Sequence, residues 1–134
     1  MVALRADGTV VSDTLRFIRR SDQMRLIGRV HTASGGILDV RKILRAVRDP
    51  GEADPRVRTT LYRYQAMWRS TPEASIPLFR YDNYREDVNT LHRHDFDAGG
   101  NETDRYSVPH DQMPFMDEVI REAEELARMR AESA

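Results

Sequence analysis

Pro114-Phe115-Met116-Asp117-Glu118-Val119-Ile120-Arg121-Glu122-Ala123-Glu124-Glu125-Leu126-Ala127-Arg128-Met129 is the stretch whose apolar residues return every three or four positions. Phe115, Met116, Val119, Ile120, Ala123, Leu126 and Ala127 make the stripe of an amphipathic helix. Asp117, Glu118, Glu122, Glu124 and Glu125 fill its polar side, and Arg128 and Arg130 stand near its end, where the helix dipole favours cations. Asp111 is the expected N-cap, and Pro114 suits a first turn because no backbone N–H is needed there. Such a stripe must be covered, and the segments before it predict what covers it.

Those segments are short and punctuated by turns. Asp7-Gly8 and Ser34-Gly35-Gly36 are turn sequences. Between them Leu15-Arg16-Phe17-Ile18-Arg19 and Arg25-Leu26-Ile27-Gly28-Arg29-Val30-His31 read as strands. Ile37 to Leu44 fits a strand or a short helix, and its position after the Gly-Gly turn favours a hairpin with the segment before it. Asp49-Pro50-Gly51-Glu52-Ala53-Asp54-Pro55 is a loop by composition. Val57 to Trp68, rich in Thr and Tyr, fits a long strand, with Tyr62, Tyr64 and Trp68 on one core or interface face. Ser70-Thr71-Pro72-Glu73 turns the chain into a strand from about Ile76 to Tyr81. There Pro77, which cannot donate to a ladder, requires an edge or a bulge. Asp97-Ala98-Gly99-Gly100-Asn101 is a further turn, and Arg105 to Val108 is a candidate last strand. The expected architecture is a single α+β domain over residues 1–134: an antiparallel sheet of about five or six strands with one amphipathic C-terminal helix packed on it.

A chain of 134 residues, 40% hydrophobic and 32% charged, is large enough for one core. No apolar run reaches the roughly 18 residues of a membrane helix, and Met1 to Asp7 lacks the apolar centre of a signal peptide. No cysteine is present, so neither a disulfide framework nor a thiolate metal site is available. The expectation is a cytoplasmic protein without membrane association. Net charge is −1, but residues 1–70 hold 14 Lys or Arg against 7 Asp or Glu, and residues 71–134 hold 7 against 15. Either the first half meets a polyanion, through a basic series such as Arg16, Arg19, Arg20, Arg25 and Arg29, or the two halves neutralise each other on folding.

Two polar runs carry the candidate chemistry. Arg80-Tyr81-Asp82-Asn83 follows Ile76-Pro77-Leu78-Phe79, and His92-Arg93-His94-Asp95 precedes Phe96. Residues two apart on a strand share a face. Arg80 and Asp82 therefore project together, as do His92 and His94, with Arg93 and Asp95 on the reverse side. Side by side, the two runs give one exposed surface a guanidinium, a carboxylate and two imidazoles. That set can bind phosphate oxygens and move protons near neutral pH. The plainer alternative is a turn opener at Asp82-Asn83 and a surface ion pair between Arg80 and Asp82.

Tyr62 and Tyr64, Leu78-Phe79-Arg80-Tyr81-Asp82-Asn83, His92-Arg93-His94 and a closing helix together resemble the TumE-like toxin family of prokaryotic toxin–antitoxin modules. The hairpin at Gly35-Gly36 with Leu38-Asp39-Val40-Arg41 is similar to that family's opening, and the likeness covers about residues 20–128. Family members usually carry further histidines between the two runs, where this chain has Tyr84-Arg85-Glu86-Asp87-Val88-Asn89-Thr90-Leu91. The resemblance implies a toxin held by a cognate antitoxin protein, acting on RNA as an endoribonuclease without a cofactor, with a homo-oligomer left open. In that chemistry His92 and His94 serve as base and acid, Arg80 stabilises the charge of the transition state, and Asp82 orients an imidazole. Arg63, Tyr81, Asn83 and Arg93 are the expected RNA contacts, with Tyr81 or Tyr84 stacking on a base. Two further readings stay open: a non-catalytic RNA- or protein-binding module, and a metal-dependent hydrolase in which His92 and His94 chelate with Asp82 or Asp95. His31 and His110 stand alone, His31 at the end of an apolar strand.

Overall fold

The computed structural model describes residues 1–48, 50, 51, 53–83 and 91–134. A short helix α1 (Val2–Ala6) opens the chain, followed by β1 (Val10–Asp13), β2 (Arg16–Arg20), β3 (Gln23–Thr32), β4 (Gly36–Val47), β5 (Arg56–Thr71), β6 (Ala74–Asp82), β7 (Leu91–Phe96), β8 (Glu102–Val108) and a C-terminal helix α2 (Met116–Ser133). All the strands lie in one antiparallel sheet of order β1-β3-β4-β5-β6-β7-β8, with β2 also on β3. The α+β class is as expected, but the sheet has eight strands and not five or six. The strand with no sequence forerunner is β1, whose four residues are too few to display an alternation. Among the described residues no helix is long and apolar enough to cross a membrane.

β1 and β2 share one edge of β3 by pairing with different parts of it. The chain between them crosses close over Gly28, whose φ is +142°. A Cβ there would stand 2.5 Å from the Thr14 carbonyl oxygen and 2.8 Å from Leu15 Cα. Only glycine leaves room for that crossing. The Thr14 N–H donates to the Arg29 carbonyl (2.9 Å), and the Arg29 N–H donates to Thr14 Oγ1 (3.0 Å).

Strand β6 carries its proline at a place that tolerates it. Ala66 pairs with Phe79 whereas Met67 pairs with Pro77, so Leu78 is the extra residue of a bulge. β7 joins β6 only along Phe79–Asp82, so Pro77 lies beyond the end of that pairing.

One face of the sheet is covered by α2, which packs on β3, β4, β5 and β6. Val30, Leu38, Val40, Tyr64, Ala66 and Phe79 meet Val119, Ile120, Ala123 and Ala127 in the core, all almost fully buried. Tyr62 and Trp68 pack against the same core, as their alternation predicts. Gly36 sets the approach of the helix, since a Cβ there would lie 3.3 Å from the Ala123 carbonyl oxygen and 3.4 Å from Ala127 Cβ. The β3–β4 turn is tied down by Ser34, whose N–H and hydroxyl donate to the Glu124 carboxylate at 2.7 and 2.8 Å. The expected cap at Asp111 is not used. Asp111 lies in a separate 3-10 turn (His110–Gln112), and the helix begins after Phe115, whose N–H donates to Glu118 Oε1 at 3.0 Å. Pro114 disfavours helical backbone at Met113, which delays the start.

Candidate site on the open face of the sheet

Among the described residues no helix covers the other face, and strand register decides what meets there. Arg41, Arg63, Asp82, His92 and Ser107 are successive cross-strand partners from β4 to β8. The next row runs Arg29, Asp39, Gln65, Arg80, His94 and Arg105 from β3 to β8. At about 4.8 Å per strand the two rows form a polar belt roughly 20–24 Å long. Half-buried Ile27, Ile43 and Leu61 adjoin it toward the far end of the sheet.

Arg80, Asp82, His92 and His94 thus share one face, His94 opposite Arg80 and His92 opposite Asp82. Arg80 Nε lies 2.6 Å from Asp82 Oδ2. Its N–H is not directed at that oxygen, so the contact is a close ion pair and not an aligned hydrogen bond. The His94 ring stands between two carboxylates. Its Nδ1 contacts Glu102 Oε1, and its Nε2 lies 3.7 Å from Asp82 Oδ2. Among the described residues that buried Nε2 has no hydrogen-bond partner. The His94 contact holds the Glu102 carboxyl below its usual pKa, with Arg105 and Arg80 adding to the effect and desolvation opposing it.

The site differs from expectation in its accessibility. The His94 side chain is only 5% exposed and that of Asp82 13%, against 29% for Arg80. Glu102 carries no signal in the sequence, because its approach to His94 depends on the β7–β8 register and on a bulge beside Asp95.

The expected RNA contacts divide between the two faces. Arg63 lies exposed on the open face, next to Asp82. Tyr81 and Arg93 are buried on the helix-covered side, away from Arg80, and Asn83 is buried beside the β5 backbone. Asn83 ties strands together: its Oδ1 accepts the Tyr62 N–H (2.9 Å), and its Nδ2 donates to the Thr60 carbonyl (3.3 Å). Arg93 stacks on Phe79 and Tyr81, 4.4 and 5.1 Å from the ring centroids. It donates to Tyr81 Oη (2.8 Å), Glu122 (2.6 Å) and Asp95 (2.9 Å). Burial works against its charge, but these three partners more than offset it and raise its pKa above the ordinary arginine value. Tyr84, the other stacking candidate, lies outside the described residues.

The metal-binding alternative finds no gathered ligand set. Among the described residues no three His, Asp or Glu side chains come together as a metal would require. Asp82 and Glu102 face opposite nitrogens of His94, and Asp95 lies on the reverse side with Arg93. What the open face offers is a guanidinium, two imidazoles and flanking carboxylates, next to a row of arginines. Comparison with family models, with curated proteins and with solved structures finds no match.

Proposed function

We propose that this chain is the toxin of a prokaryotic toxin–antitoxin pair and acts on single-stranded RNA through the open face of its sheet. The observation that carries the reading is the cross-strand convergence of Arg80, Asp82, His92 and His94 beside the Arg41 and Arg63 row. Cleavage without a cofactor needs a base for the 2′-hydroxyl, an acid for the departing 5′-oxygen and a cation for the phosphorane. His92, the more accessible imidazole, takes the 2′ proton, and the 2′-oxygen attacks phosphorus to form a cyclic phosphate. His94 supplies a proton to the leaving oxygen, and Arg80 faces the developing negative charge. Asp82 holds Arg80 and flanks His94. In this scheme Tyr81 and Arg93 support the sheet from its other side, and Asn83 ties the end of β6 to β5. The resemblance to TumE-like toxins supports an antitoxin partner, but it is carried by the sequence runs alone.

One observation favours a non-catalytic RNA-binding module: His94 is buried between two carboxylates, a common setting for a structural histidine. Cleavage of labelled single-stranded RNA in excess EDTA separates the readings. His92→Ala is expected to reduce cleavage by about 10² or more, with RNA binding and melting temperature preserved. His94→Gln, checked for folding by its melting curve, is expected to do the same. Wild-type protein that binds RNA without cutting it would establish the binding module. Activity abolished by EDTA and restored by zinc or manganese would establish the metal-dependent reading.

A further inference from the structure

A cavity of about 180 Å³ opens between β3, β4 and β5 on the same face, lined by Arg29, Asp39, Arg41, Arg63, Gln65 and Met67. We propose that it is a phosphate site, holding a phosphodiester of the RNA strand on the β4 side of the scissile one. This placement rests on the function proposed above.

The first argument is electrostatic cost. Arg41 and Arg63 are direct cross-strand partners. Like charges directly opposite on neighbouring strands destabilise a sheet. Both side chains are exposed, and among the described residues neither has an ion-pair partner. The nearby carboxylates are already engaged: Asp39 pairs with Arg29 at 3.5 Å and Asp82 with Arg80 at 2.6 Å. The lining therefore carries three guanidiniums against one carboxylate, and an anion seated there removes the repulsion.

The second argument is size and chemistry. The volume falls below the roughly 300–1,000 Å³ of a drug-sized ligand's pocket and suits one phosphate group with its residual hydration. Arginine forks match phosphate oxygens in pairs of hydrogen bonds, and Gln65 adds a neutral donor. The third argument is position. Arg63 and Asp82 are neighbours in the same row, with His92 next beyond them. The cavity lies two to three strands from His92, roughly 10–14 Å at about 4.8 Å per strand, along the line a bound strand would follow.

The test is binding of an uncleavable 2′-deoxy single-stranded oligonucleotide across a salt series, with melting curves in inorganic phosphate. Arg41→Gln/Arg63→Gln is expected to lower the slope of log K against log salt by about 0.7, the amount for one phosphate contact on a single strand. The same double variant is expected to melt at or above the wild-type temperature in phosphate-free buffer, because the opposed charges are gone. Should it fail to fold, Arg41→Gln alone is read in the same way. Arg128→Gln, which removes an exposed charge from α2 on the helix-covered side of the sheet, is expected to leave the slope unchanged. An unchanged slope in the β4–β5 variant, or an equal fall in the α2 variant, overturns the proposal. So does stabilisation by inorganic phosphate that depends on Arg41 and Arg63 without any change in the oligonucleotide slope, since the cavity would then take free phosphate. The strand is uncleavable, so histidine variants that leave RNA cleavage unaltered would refute the catalytic scheme without touching this result.

Discussion

Replacing Arg93 by methionine removes a charge that the fold has built around. Its side chain is 10% exposed, and it joins β6, β7 and α2 through Tyr81, Asp95 and Glu122. The carboxylates of Glu122 and Asp95 are 39% and 31% exposed, so water takes over part of what they lose. About 1 kcal/mol each is appropriate for those two contacts, below the 1.5–3 kcal/mol of fully buried charged hydrogen bonds. Leaving the Tyr81 hydroxyl unpaired costs about 1–2 kcal/mol, and loss of the cation–ring contacts with Phe79 and Tyr81 about 1 kcal/mol more. Methionine restores apolar contact and removes the desolvation of a guanidinium, which together offset about 1 kcal/mol. The net expectation is a loss of about 3–4 kcal/mol, or roughly 10–15 °C in Tm for a domain of this size. Urea unfolding followed by the fluorescence of Trp68 measures it, with Arg63→Met on the open face expected to stay within about 0.5 kcal/mol of wild type. A loss below 1 kcal/mol for Arg93→Met refutes the structural role. So does unchanged stability combined with weakened RNA binding, which would return Arg93 to the RNA-contacting set.

Gly28→Ala should cost about 3 kcal/mol or more in the same assay, combining a φ that only glycine accepts with backbone collision at Thr14 and Leu15. Gly8→Ala, with positive φ but nothing within 4 Å, should cost only about 1 kcal/mol, and equal losses at the two sites would contradict the crossing described here. Ile120→Asp places a carboxylate at a fully buried position facing the sheet, and it should leave the protein unfolded or aggregated. An unchanged melting curve would mean that α2 does not cover the core. Asp7 has its pKa lowered to about 2 by hydrogen bonds from Thr9 and Arg121. Its contribution to stability is therefore present above the unfolded value near 3.8 and lost as pH falls toward about 2. Asp7→Asn should flatten the acid limb of stability between those pH values, and an unchanged limb would remove Asp7 from the account.

Periodicity within one element was readable, and relations between elements were not. The helix stripe, the Tyr62–Tyr64–Trp68 face and the bulge at Pro77 all depend on residues that are near neighbours in sequence. Alternation along β6 and β7 likewise placed Arg80 with Asp82 and His92 with His94. The same alternation puts Tyr81, Asn83 and Arg93 on the reverse side, so grouping them with Arg80 as RNA contacts went against the signal that located the site. What the alternation leaves undecided is which face the helix covers, because that depends on how residues after Pro114 return across the sheet. Arg41 carries no signal of its own in the sequence for a related reason. It becomes the partner of Arg63 only through the β4–β5 register, which is shifted by an irregularity between Ile43 and Leu44.

The division of charge between the halves of the chain now has a structural meaning. Strands β2 to β5 supply most of the arginines, and α2 supplies many of the acidic residues. The helix delivers those acids to the opposite side of the sheet from the Arg29, Arg41 and Arg63 cluster. A few of them cross-link the fold, as Glu122 does with Arg93 and Glu124 with Ser34. Among the described residues the open face is left with Asp39, Asp82 and Glu102 to balance its arginines, with Asp39 paired to Arg29, Asp82 to Arg80 and Glu102 held against His94. Complete interleaving of the halves would have neutralised this face; instead, folding separates a helix-covered side from a side with surplus positive charge. A near-neutral chain can in this way present a surface suited to a polyanion, and the candidate acid–base groups lie on that same surface.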